Sequence, residues 1–126
     1  KDATLRCVAG SHKWEKEVLP TRWVSAEDFF PAEGQYMPVP DPDAEGMTVL
    51  EYPMQPGDAV AFNYKTLHGA RANTSQNRRR AFSLRLVGDD ARYVERPGCT
   101  SPPYPGHGME PGQRLREDWF PILTQG

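Results

Sequence analysis

A chain of 126 residues and 14.2 kDa holds one domain at most, able to bury roughly two thirds of its unfolded surface around one core. Thirteen prolines and eleven glycines against an apolar share of 37% speak for β architecture with many turns and long loops, and against a helical bundle. A formal charge of −2 excludes the cationic field that draws nucleic acid or acidic membranes, and no apolar run reaches membrane-spanning length.

Thr4 to Val8 reads as a short strand, closed by the turn pair Gly10-Ser11. His12 follows in the polar segment Ser11 to Glu17, and with no second ligand at a metal-like spacing it reads as a solvent-facing or turn-stabilising residue. Cys7 and Cys99 are the only cysteines, and both are expected as free thiols. Residues 1–8 have no signal-peptide character, so the expected location is cytoplasmic. Between Leu19 and Phe30, Ser25-Ala26-Glu27-Asp28 looks like a helix cap with acids in the first turn, which predicts a short helix over Ala26–Phe30. Trp23, Phe29 and Phe30 are expected to pack against a sheet. Residues 31–46 are rich in proline and acids and read as a long loop, after which Met47 to Tyr52 returns to strand.

Pro56 to Val87 is the most informative stretch. Pro56-Gly57 is a turn pair, and Val60, Phe62 and Tyr64 favour extended backbone after it. His68 then falls at a strand edge, and Asn73-Thr74-Ser75 forms a polar turn. From Ala81 to Val87 the side chains split by parity: Phe82, Leu84 and Leu86 on one face, Arg79, Ala81, Ser83 and Arg85 on the other. On a solvated face those arginines are ordinary surface residues; on a pocket wall an arginine is a fork shaped for carboxylate or phosphate. His68 and Arg79 are eleven positions apart across one turn, so neighbouring strands can carry both inward, an imidazole suited to iron beside a guanidinium suited to a carboxylate. Arg78 and Arg80 have the opposite parity to Arg79 and make no continuous basic patch with it.

Gly88-Asp89-Asp90 is a further turn, followed by a strand-like piece from Ala91 to Glu95. Residues 96–112 are dense in proline and glycine and read as a second long loop, with His107 as a solvated or loop-packing histidine. Leu115, Trp119, Phe120 and Ile122 give a polar chain an apolar end, expected to dock on the outside of the sheet structure. The whole of residues 1–126 is therefore expected to form a single domain.

The run from Pro56 to Gly88 resembles the C-terminal part of the phytanoyl-CoA dioxygenase-like group of non-haem Fe(II)- and 2-oxoglutarate-dependent oxygenases. In that group a Gly-Asp pair, here Gly57-Asp58, opens a strand, and a His-Gly, here His68-Gly69, supplies the distal iron ligand. An Asn-Thr-Ser-like turn follows, and an arginine on the last barrel strand, here Arg79, binds 2-oxoglutarate. Thr4 to Lys13 is similar to the family's strand and Gly-Ser-His corner, and Asp118 to Ile122 to its closing segment. The resemblance implies an all-β, mainly antiparallel fold with a short helix: the C-terminal part of a double-stranded β-helix, a cupin-like jelly roll. It implies Fe(II) and 2-oxoglutarate as cofactor and co-substrate, His68 as a metal ligand, and Arg79, with Ser83 and Arg85, as contacts of the oxo acid. It also makes Tyr36 and Met37, in the first long loop, candidate contacts of a small-molecule substrate.

The family's iron site is a facial triad whose first histidine and carboxylate come as His-X-Asp. None of His12, His68 and His107 is followed two places later by Asp or Glu. The chain is therefore expected to be an oxygenase portion lacking that motif, or else a non-catalytic β-barrel remnant with a binding or structural role. Open sheet edges further predict a homo-oligomer or strand-swapped dimer.

Overall fold

The computed structural model describes residues 3–19, 36–44, 46–95 and 104–124. The helix expected over Ala26–Phe30 and the thiol of Cys99 lie outside the described residues. The chain divides into two compact units, residues 1–81 and 82–126.

The five strands among the described residues belong to the first unit: β1 (Leu5–Val8), β2 (Glu17–Val18), β3 (Tyr36–Met37), β4 (Val49–Tyr52) and β5 (His68–Gly69). The described helical content is one 3-10 turn at Ser11–Lys13, so the unit is β-rich. β1 is the centre of an antiparallel sheet of order β4-β1-β5. Its register sets Arg6 opposite Glu51 and Gly69, and Cys7 opposite Leu50 and His68. Side chains alternate along a strand, so two rows result on opposite faces. Leu50, Cys7 and His68 form one row, and Glu51, Arg6 and Gly69 the other.

Local chemistry explains the ends of these strands. β1 stops at Gly10, whose φ of 77° lies in the left-handed region open to glycine at little cost. Beyond β4, Pro56 and Gly57 occupy the two central positions of a tight turn, with Gly57 at φ 101° as a type II turn requires. Asp58 closes that turn: its N–H donates to the Gln55 carbonyl at 3.0 Å, and its carboxylate accepts the Gln55 N–H at 2.8 Å. The Asn63 side chain accepts the Lys65 N–H at 2.9 Å and starts the turn leading into β5.

Two segments differ from expectation. Tyr36–Met37, inside the first proline-rich stretch, pairs in parallel with Glu17–Val18, and Leu19 donates its N–H to the Met37 carbonyl at 2.9 Å. Conversely, residues 59–64 and 81–87 enter no ladder with the described residues, although their composition suits a strand. The alternating face of the second segment is bare: Phe82 is 90% exposed and Leu86 69%. The buried apolar residues of the first unit are few, Cys7, Val8 and Leu19 among those described.

The Arg6 face of the sheet carries an ion-pair network. Arg6 holds both carboxylate oxygens of Asp43, at 2.5 and 3.1 Å, and donates through Nε to Glu51 at 3.1 Å. Arg71 reaches the same two acids at 3.2 and 3.3 Å. The Arg6 guanidinium, helped by Arg71, holds the Asp43 carboxyl below the usual carboxylate range. An unfolded Asp43 takes up its proton near pH 4, roughly the ordinary value, whereas the folded one does so only at lower pH. Its contribution to stability is thus present above about pH 4 and is lost as pH falls through the depressed folded value. Asp118 is lowered in the same way by Arg116, so the difference between the Asp43→Asn variant and wild type is the quantity to read. The melting temperature of Asp43→Asn, followed by circular dichroism between about pH 2 and pH 6, is expected to lie below wild type at the upper end and converge with it at the acid end. A gap independent of pH contradicts this.

In the second unit, Arg92 and Arg114 form an antiparallel bridge, extended by Tyr93 N–H to the Gln113 carbonyl at 2.9 Å and Gly112 N–H to the Tyr93 carbonyl at 2.8 Å. Met109 is the buried apolar residue among those described there, and the Tyr104 ring packs on Phe120 at 5.2 Å between centroids. No helix among the described residues is long and apolar enough to cross a membrane.

Candidate functional site

His68 opens β5 opposite Cys7, and its surroundings fix the chemical identity of its two ring nitrogens. Nδ1 lies 2.8 Å from the Thr66 carbonyl oxygen. A carbonyl can only accept, so Nδ1 carries the proton and donates. In the neutral ring Nε2 then keeps its lone pair, which is the nitrogen a metal ion can take. The Phe62 ring packs against the imidazole, with centroids 4.7 Å apart and planes tilted by 54°. Thr66 is itself buried, at the end of a turn closed by its N–H to the Asn63 carbonyl at 2.9 Å.

Cys7, Phe62 and Thr66, all neighbours of His68, also line a cavity of about 250 Å3 within the first unit. Leu50, Tyr52 and His12 complete much of its wall. The cavity lies on the sheet face opposite the ion-pair network, so one sheet separates a histidine-bearing side of mixed polar and apolar lining from a charged one. Burial pushes the Cys7 thiol up, and Cys7 is a free cysteine. It is a small apolar wall residue in the neutral form.

Arg79 is exposed, outside any regular element, within the same unit. The ion pairs described there run through Arg6, Lys65 and Arg71 and leave its guanidinium uncommitted among the described residues. The turn before it is stitched by side chains: Asn73 donates to the Asn77 carbonyl at 2.7 Å and accepts the Ser75 hydroxyl at 2.7 Å. Ser83 and Arg85 belong to the second unit and are exposed there. Tyr36 and Met37 are half-buried in β3 and do not line the cavity.

The family model described as Phytanoyl-CoA dioxygenase (PhyH) matches residues 1–81, the same span as the first compact unit. The chain belongs to the phytanoyl-CoA dioxygenase family. It is also similar to Dioxygenase olcK of Penicillium canescens, with 34% identity over 84 residues, covering 67% of this chain and 20% of that protein. The chain thus spans about a fifth of the length of the curated relative it matches. No solved structure matches it significantly.

Within the family's matched span lie His68 and Arg79, whereas Ser83 and Arg85 fall beyond it. Among the described residues no group of three His, Cys, Asp or Glu side chains is arranged to hold a metal ion. His107, in the second unit, is engaged at both nitrogens. Its Nδ1 accepts the Met109 N–H at 2.9 Å, so the proton of the neutral ring is on Nε2, which lies 3.3 Å from the Tyr93 hydroxyl. Tyr93 in turn donates to Glu95, and that hydrogen bond raises the tyrosine's pKa above the ordinary value. His107 is accordingly a packing residue of its loop, in the tautomer opposite to that of His68.

Sequence reasoning did not find the Thr66 carbonyl, the Phe62 ring or the half-buried place of His12 on the cavity wall. The first two are set by a turn geometry that Asn63 signals only in part, and the third by the 3-10 turn after Gly10.

Proposed function

We propose that this chain acts as part of a Fe(II)- and 2-oxoglutarate-dependent oxygenase that hydroxylates a small-molecule substrate. His68 serves as one iron ligand through Nε2, and Arg79 clamps the distal carboxylate of the co-substrate. The observation that carries the reading is the state of His68: an Nδ1 committed to the Thr66 carbonyl and an Nε2 left with its lone pair, beside a cavity. When bound, iron and 2-oxoglutarate would supply the oxidation of an unactivated C–H bond. The chain's own part is to orient the imidazole through Thr66 and Phe62, with Cys7, Leu50 and Tyr52 on the wall of the adjacent cavity. In this reading β4-β1-β5 is part of one wall of a double-stranded β-helix.

The alternative reading is a non-catalytic β-barrel protein of the same fold with a binding or structural role. An anaerobic titration of the chain with Fe(II) and 2-oxoglutarate, following the visible charge-transfer band of the chelate, separates the two. A saturable band is expected. Its absence leaves the binding reading in place.

The bare apolar residues Phe82, Leu84 and Leu86 on an unladdered segment also support self-association, as a homo-oligomer or strand-swapped dimer. Light scattering is expected to give a mass at least about twice the 14.2 kDa of one chain; a monomer mass contradicts it.

A further inference from the structure

Ser11 is buried, 4% exposed, at the corner between β1 and the first 3-10 turn. Its hydroxyl is used twice. Oγ donates to the Val8 carbonyl at 2.8 Å and accepts the Leu67 N–H at 2.9 Å. The second bond spans 56 positions and lands on the residue immediately before His68. Leu67 is held from its other side too, since its carbonyl accepts the Val8 N–H at 2.9 Å. Both polar groups of Leu67 are thus fixed by the β1 corner, and the carbonyl that orients the imidazole belongs to the residue just before it, Thr66.

We infer that Ser11 is a positioning residue for His68: its hydroxyl locks the Thr66-Leu67 backbone and thereby selects the Nδ1–H tautomer and the direction of Nε2. The site demands a group that gives one hydrogen bond and takes another within a buried corner, which a hydroxyl does and alanine does not. Loss of the hydroxyl leaves the Leu67 N–H without its acceptor, and the Thr66-Leu67 peptide, which also carries the carbonyl that orients His68, turns to find another. The consequence for metal binding rests on the reading of His68 as a ligand; the consequence for the tautomer does not.

The test uses the full chain with Ser11→Ala and Ser11→Thr. Nitrogen-15 NMR of the His68 ring in the metal-free protein reads the tautomer, and titration with Fe(II) alone reads the affinity. Ser11→Ala is expected to mix the two tautomers and to weaken Fe(II) about 10- to 100-fold, the usual cost of losing a partner that orients a ligand, while Ser11→Thr restores both. If Ser11→Ala does not fold, Ser11→Cys, nearly isosteric and a poor hydrogen-bonder, takes its place with the same expectation. A folded variant lacking the hydroxyl with an unchanged His68 tautomer overturns the inference. A wild-type chain that binds no Fe(II), yet whose tautomer shifts in Ser11→Ala, upholds the positioning role and overturns the ligand assignment instead.

Discussion

His68→Ala is expected to abolish the Fe(II)-dependent band in the anaerobic titration, a larger loss than the roughly 10- to 100-fold that removal of an orienting partner costs. The argument rests on nitrogen availability. Of the two histidines with described ring bonds, His107 spends Nδ1 on the Met109 N–H and has Nε2 at the Tyr93 hydroxyl, whereas His68 spends only Nδ1. His107→Ala is therefore the control, expected to leave Fe(II) affinity unchanged. His68→Gln adds a second, finer reading. It keeps a polar side chain of similar reach but has no imidazole nitrogen, so it should bind no better than alanine. A band that survives His68→Ala, or that falls equally in His107→Ala, removes His68 from the metal site.

Why His68 could be picked out of the sequence and its supports could not follows from the range of the interactions. The turn at Pro56-Gly57, the strand endings and the Asn63 and Asn73 turns are local, and each is written in residues a few positions apart. The expected strands at Thr4–Val8 and Met47–Tyr52 appear as β1 and β4 because their alternation is matched by a real neighbour. Parity alone does not create a strand. Residues 81–87 alternate as cleanly, yet without a ladder partner among the described residues they form no strand, and Phe82 and Leu84 are bare. The parallel pairing of Glu17–Val18 with Tyr36–Met37 is the converse case, two short pieces joined by proximity with no periodic signal. The ion-pair network is equally silent in the sequence: Arg6, Asp43, Glu51 and Arg71 meet only once β1 is in register with β4 and β5. Ser11 looked like half of a turn pair because its second partner, Leu67, lies 56 positions away.

Arg79→Ala is expected to weaken 2-oxoglutarate about 10- to 100-fold while leaving binding of Fe(II) alone unchanged, since a charge-assisted, two-pronged contact is the strongest single bond the co-substrate would make. The arginine best suited to that contact is one that is not already committed. Arg6 and Arg71 are tied to Asp43 and Glu51 on the charged face of the sheet, and Arg116 to Asp118 in the second unit. Arg79 has no such tie among the described residues, and its exposed guanidinium can meet a carboxylate without first breaking an ion pair. Arg79→Lys separates charge from shape: an ammonium keeps the attraction but loses the planar fork, so it should recover part of the affinity. Arg71→Ala and Arg80→Ala test the position, since a loss caused by net charge alone would appear in all three variants, and a specific clamp only in Arg79→Ala. Equal losses across the set would reduce Arg79 to one member of a diffuse positive surface, and the co-substrate assignment would fall with it.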